Sequence, residues 1–131
     1  MKDLVEYRAE ILKAIAQPTR LKIIDFLRDG ERCVCEIFPA ISEEQSNTSR
    51  HLNMMLSAGV LFRRKEGLKI YYAINHPEIL AIMDIVTQIV KQDISRRHKL
   101  LQTTWLQGIF LPFYVSNQSV THGVSHVEKF C

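Results

Sequence analysis

The sequence is short of nearly everything that would mark a membrane, secreted or enzymatic protein. No apolar run in its 131 residues reaches the roughly 18 needed to span a bilayer, and the start, Met1-Lys2-Asp3-Leu4, lacks a signal-peptide apolar stretch. A cytoplasmic location is expected, with no membrane partner. Cysteine is scarce and odd in number: of three, Cys33 and Cys35 stand one residue apart and Cys131 stands alone. That is no disulfide framework, and in a reducing cytosol the expectation is free thiols or ligands. The histidines are scattered and no nucleophile and base stand in a recognisable arrangement, so neither an enzyme nor an organic cofactor is expected. There is no internal repeat. Charge is missing from residues 103–127, and all but two of the charged side chains precede Thr103.

What is present describes one small globular domain, with 47% hydrophobic and 24% charged residues. The charge-free stretch divides it into a body, 1–102, and a C-terminal extension, 103–131, expected to be loosely ordered. A net charge of +3 says little, but its distribution is uneven. Between Ser46 and Ile74, Arg50, Arg63, Arg64, Lys65 and Lys69 face Glu66 alone. A basic segment inside a nearly balanced chain points to a polyanion partner.

Helical spacing of Leu4, Tyr7, Ile11, Leu12 and Ile15 predicts a first helix over 3–16, and Pro18 opens a second, 18–28, closed by Gly30. Val34, Ile37, Phe38 and Ile41 predict a short third helix within 33–41. Pro39 lacks the N–H that a helix interior needs, so this helix either begins near Glu36 or is kinked. After the polar turn 42–45, Ser46 is the expected N-cap of a fourth helix carrying Leu52, Met55 and Leu56 and ended by Gly59. Two short helices about a four-residue turn are a helix-turn-helix. A hairpin follows, 60–64 and 69–74 about a turn at 65–68. Asn75 is the expected cap, with Glu78, of a fifth helix running to about Leu101. The fold is thus mostly α with a small β-hairpin: a winged helix-turn-helix of about five helices and a two-stranded wing. The last helix is longer than so small a body needs, and its surplus stripe implies a homodimer. Leu4 and Ile11 of the first helix and Ile82, Val86, Ile89 and Val90 of the last are the candidate interface.

A helix fits the major groove and reads base edges from its N-terminal half. Ser46, Asn47, Thr48, Ser49, Arg50 and His51 occupy that half of the fourth helix and are the candidate contacts to double-stranded operator DNA. Arg63, Arg64, Lys65 and Lys69 on the hairpin would meet the flanking phosphates.

Ala16-Gln17-Pro18-Thr19-Arg20-Leu21-Lys22-Ile23-Ile24, Glu31-Arg32-Cys33-Val34-Cys35-Glu36-Ile37, Ser49-Arg50-His51-Leu52, Ala58-Gly59-Val60-Leu61 and Arg63-Arg64-Lys65-Glu66-Gly67 together resemble the ArsR/SmtB family of metalloregulatory repressors. The resemblance spans about Leu4 to Leu101. It implies a dimeric winged-helix repressor that leaves an inverted-repeat operator when inducer binds. Cys-Val-Cys stands where the similar arsenite sensors hold their ligands, which makes Cys33 and Cys35 candidate ligands for arsenite or antimonite, or alternatively Cd or Pb. A third thiol of that pattern is Phe38 here, so either two sulfurs suffice with a solvent oxygen, or Cys131 supplies the third. Side chains two apart on a regular helix or strand point oppositely, so clamping one ion is expected to distort the backbone. A second family site on the last helix is not matched, since Val86 follows Asp84 at the ligand spacing and His98 stands nearly alone. His122, His126 and Cys131 have spacings a metal could use.

Two other functions fit the residues. One keeps the DNA binding and replaces the ion by thiol oxidation, although neighbouring cysteines form disulfides poorly. The other is a dimeric interaction module that does not bind DNA.

Overall fold

The computed structural model describes residues 1–106. Their elements run α1 (Leu4–Ile15), α2 (Pro18–Phe26), β1 (Arg32–Cys33), α3 (Val34–Ile41), α4 (Gln45–Ser57), β2 (Leu61–Glu66), β3 (Lys69–Ile74) and α5 (Glu78–Leu106). The chain falls into two units, Met1–Ile85 and Val86–Cys131. The first unit contains α1 to β3 and the start of α5, and the described part of the second is the remainder of α5. No helix among the described residues is long and apolar enough to cross a membrane. Of the extension expected from Thr103 on, only the first residues, which continue α5, are described.

Local chemistry sets the boundaries. The Asp3 carboxylate accepts the Glu6 N–H at 2.8 Å and caps α1, and the Gln17 side chain accepts the Arg20 N–H at 3.0 Å and caps α2 ahead of Pro18. Helix α4 stops in a Schellman turn. Gly59 takes φ +78°, its N–H donates to Leu56 O and the Val60 N–H donates to Met55 O, both at 3.0 Å. Gly67 takes φ +60° in the two-residue turn that joins β2 to β3.

Ile23 and Ile24 of α2, Ile37 of α3, Leu52 and Met55 of α4 and Val60 are fully buried in one cluster. Each such side chain contributes about 1.5–3 kcal/mol. Leu52 and Met55 therefore anchor α4 by its inner face and leave the opposite face outside.

Three expectations are corrected and one is narrowed. The wing gains a third strand, because Arg32 and Cys33 pair antiparallel with Tyr72 and Tyr71, and the sheet order is β1-β3-β2. Helix α3 begins at Val34 and contains Pro39. Cys33 caps it, and the Glu36 carboxylate accepts the Cys33 N–H at 2.9 Å. Ser46 is not the cap of α4, which begins at Gln45 after Glu44 and has no side-chain cap bond. Asn75 does not cap α5 but donates from Nδ2 to Gly59 O at 3.0 Å, tying the end of β3 to the end of α4.

Candidate functional site

Two stripes divide α4. Thr48, His51, Leu52 and Met55 are buried, and Ser46, Arg50 and Asn53 are exposed with Ser49 half-buried beside them. Both sets follow the i, i+3, i+4, i+7 spacing of one helix face. The outer set lines an open groove of about 870 Å³ between α4 and α1, whose rim carries Lys2, Lys13 and Glu10. Ser46, Ser49 and Arg50 thus lie on the outer face of α4. Asn53, seven after Ser46 and three after Arg50, shares that face and was not among the expected contacts.

Three of the six expected α4 contacts are occupied within the protein. Thr48 is 0% exposed, and His51, at 9%, accepts a hydrogen bond on Nδ1 from the Arg20 Nε at 3.2 Å. Asn47 is half-buried and donates to Glu43 at 2.7 Å. Thr48 and His51 are therefore withdrawn from the DNA-facing surface, because their side chains point into the body. Glu43 also accepts from the Thr19 hydroxyl at 2.5 Å, so one carboxylate fastens the turn between α3 and α4 to α2 and to the first turn of α4. The Thr19 hydrogen bond chiefly holds its pKa below the usual carboxylate range.

On the wing Arg63, Arg64, Lys65 and Lys69 are all exposed. Arg64 differs from the rest in its partners. It donates to both oxygens of Glu31, at 2.5 and 3.2 Å, and to Glu66 at 2.8 Å, and its guanidinium lies 4.7 Å from the Tyr71 ring centre. These carboxylates raise its pKa, and Arg64 in turn lowers that of Glu31. Arg64 is thus already neutralised, whereas Arg63 and Lys65, which share the other face of β2, make no ion pair among the described residues.

Cys33 and Cys35 are joined in a disulfide, with Cα atoms 5.1 Å apart. Free thiols are not what the structure holds, and the two sulfurs meet for a local reason. Cys33 is extended, φ −63° and ψ 142°, while Val34 begins a helix. The change of backbone turns both sulfurs to one side. Cys33 is 5% exposed and Cys35 is at the surface. Phe38 packs on the core, and no group of three or more His, Cys, Asp or Glu able to hold a metal occurs among the described residues. The reduced pair would offer two soft donors to a thiophilic ion. Cys131, His122 and His126 lie outside the described residues.

Of the expected dimer residues, Leu4, Val86, Ile89 and Val90 are about half exposed or more, with Val5, Tyr7, Leu12, Ile85 and Ile94 like them. Ile11 and Ile82 are partly spent on the protomer's own core.

A buried-backed reading helix followed by a basic hairpin defines a winged helix-turn-helix transcriptional regulator. Residues 17–61 match the family described as bacterial regulatory protein, arsR family. The chain is 38% identical to the transcriptional repressor PagR of Bacillus anthracis over 86 residues, covering 65% of this chain and 86% of that protein. It is 32% identical to the arsenic resistance transcriptional regulator ArsR2 of Pseudomonas putida over 88 residues, covering 66% and 76%. Among solved structures, the homodimeric winged helix-turn-helix DNA-binding domain Mb0332 of Mycobacterium bovis superposes with a TM-score of 0.64 at 29% identity, covering 71% of this chain and 86% of that one. The chain belongs to the ArsR family: it is a transcriptional repressor with a DNA-binding winged helix, and its relatives are regulators, not enzymes.

Proposed function

We propose that this repressor grips a duplex operator as a homodimer and releases it when Cys33 and Cys35 take up arsenite or antimonite. Ser46, Ser49, Arg50 and Asn53 read the major groove, while Arg63, Lys65 and Lys69 hold the flanking phosphates. The apolar faces of α1 and α5, Leu4 and Val86 among them, are covered by the second copy, in keeping with the homodimeric Mb0332. Such a repressor works in the cytoplasm, beside its DNA.

The observation that carries the sensing half is the convergence of the two sulfurs at the β1–α3 junction, between the wing sheet and the helix that supports α4. The name of ArsR2 points the same way. Each reduced thiol gives up its proton as a sulfur–arsenic bond forms, and the displaced hydroxide leaves as water. Two bonds leave the ion one oxygen, or a third sulfur from Cys131; Cd and Pb are the alternative ions.

The disulfide itself favours a second reading, a thiol-redox response. In it the pair passes two electrons and two protons to a peroxide or to another disulfide. One experiment separates the two. A fluorescent duplex selected by the reduced protein from a random pool is titrated with arsenite, antimonite, Cd, Pb and Zn, and in parallel the protein is oxidised and re-reduced. Release by arsenite from the reduced protein supports the ion. Release only on oxidation supports the redox reading, and no release by either removes both.

A further inference from the structure

We propose that Arg20 positions the DNA-reading helix by donating to a neutral His51, so that operator binding is lost when His51 takes up a proton. This rests on α4 being the helix that reads DNA.

Arg20 is only 8% exposed, yet it makes no ion pair among the described residues. Its Nη1 donates to the carbonyls of Lys13 and Ala14, both at 3.1 Å, and Nη2 reaches Met54 Sδ at 3.4 Å. Nε takes His51 Nδ1. The two carbonyls belong to the last turn of α1, the negative end of that helix dipole, which offsets part of the buried charge. One side chain of α2 thereby joins the end of α1 to two successive turns of α4, next to Arg50 on the outer face.

A guanidinium has donors and no acceptor, so Nδ1 must present its lone pair and the imidazole carries its hydrogen on Nε2. Protonation would set N–H against N–H and cation against cation. The charged groups about the ring agree. Arg20 from α2 and Arg50 on α4 oppose a proton, whereas Glu43 from the preceding turn favours one. Lys22 bears on Glu43, and that carboxylate is already held by Thr19 and Asn47. Lys13 of α1 meets Arg20 only through its carbonyl. Burial first, and Arg20 next, keep the His51 pKa below its ordinary 6.5. Because the native value is lowered, the bond is fully present above that ordinary value and is lost as the pH falls through the native one.

The test compares wild type with His51→Gln, whose side-chain oxygen accepts from Nε and does not titrate, on a duplex selected from a random pool. Wild type should lose about tenfold or more in affinity between about pH 7.5 and pH 5, while the variant should change by less than about threefold, the exposed histidines being common to both. Parallel pH profiles would overturn the proposal. Long-range nitrogen–proton NMR on the wild type judges the pair without relying on the variant's folding. An Nε2–H tautomer titrating below 6.5 supports the proposal, and an Nδ1–H tautomer or a higher pKa defeats it. If wild type binds no duplex even at neutral pH, the DNA-reading role of α4 is what has failed, and with it the functional half of the proposal.

Discussion

Replacing Thr48 by valine should make the protein more stable and leave its grip on DNA unchanged. Thr48 lies in the first turn of α4 with no exposure, and its hydroxyl finds no hydrogen-bond partner among the described residues. The Glu44 carbonyl one turn back accepts the Thr48 N–H at 3.0 Å but not its hydroxyl. A buried polar group left unpaired costs about 1–3 kcal/mol. Valine has nearly the same shape and a similar helix propensity, so no new strain offsets the gain. The low end of that range is expected, about 1 kcal/mol, or a rise of about 4 °C in Tm for a domain of this size. Thermal unfolding by circular dichroism reads the first quantity and fluorescence anisotropy on the selected duplex reads the second. Affinity should hold within about twofold, since only groups that reach base edges carry the 1–3 kcal/mol of a specific contact. A tenfold loss of affinity with an unchanged Tm would place Thr48 against the DNA and refute its burial. A lowered Tm would mean that the hydroxyl is bonded.

Arg50→Ala should weaken specific binding by about 1–3 kcal/mol and random-duplex binding much less; equal loss on both would remove Arg50 from base readout. Lys69→Ala should mainly reduce the slope of log affinity against log salt by about one, measured between low and moderate salt. Val86→Glu places a charge on the exposed apolar stripe of α5 and should give monomers by light scattering; a wild-type monomer at micromolar concentration would end the dimer reading. Cys33→Ser and Cys35→Ser should each keep operator binding and lose release by arsenite, while Cys131→Ser measures whether a third sulfur is used.

The helices and the hairpin were legible because each is long enough to repeat. Leu4 to Ile15 show a full apolar stripe, and Val60 to Ile74 change to β-rich texture around a glycine. β1 is two residues long and has no period to read; only its pairing with Tyr71 and Tyr72 makes it a strand. On α4 the side-chain chemistry misled. Thr48 and His51 look like DNA contacts because they are polar, but counting back from Leu52 and Met55 at helical spacing puts both on the inner stripe, and the complementary stripe contains Asn53. His51 could be buried only because Arg20 lies 31 residues earlier, a pairing no local pattern shows. The thiol pair was misjudged by assuming one regular geometry across a point where strand becomes helix. Asn75 followed the same logic as an ordinary cap, and a long-range bond to Gly59 won instead.

How an event at the sulfurs would reach the DNA is a question of magnitude between two routes. One leads through the wing: Cys33 pairs with Tyr71, and the neighbouring Glu31 holds Arg64. That ion pair is solvent-exposed, and such pairs contribute little and are screened by salt. The other leads through α3. Cys33 caps this helix with its own sulfur, which accepts the Cys35 N–H at 3.3 Å, while Glu36 closes the cap from the opposite side. An ion bound to that sulfur competes for the lone pairs the cap uses, and losing an oxygen cap costs about 1 kcal/mol, with a weaker sulfur acceptor below that. Helix α3 is fixed by Ile37 and Ile41 in the same cluster that fixes Leu52 and Met55 of α4, so loosening its first turn shifts the seat of the reading helix. A coupling between two sites is usually about 1–3 kcal/mol, more than either the sulfur cap or the exposed wing pair supplies alone, so the core that α3 shares with α4 must carry part of it. The α3 route is therefore the stronger, with the wing strand adding to it through the backbone pairing at Cys33.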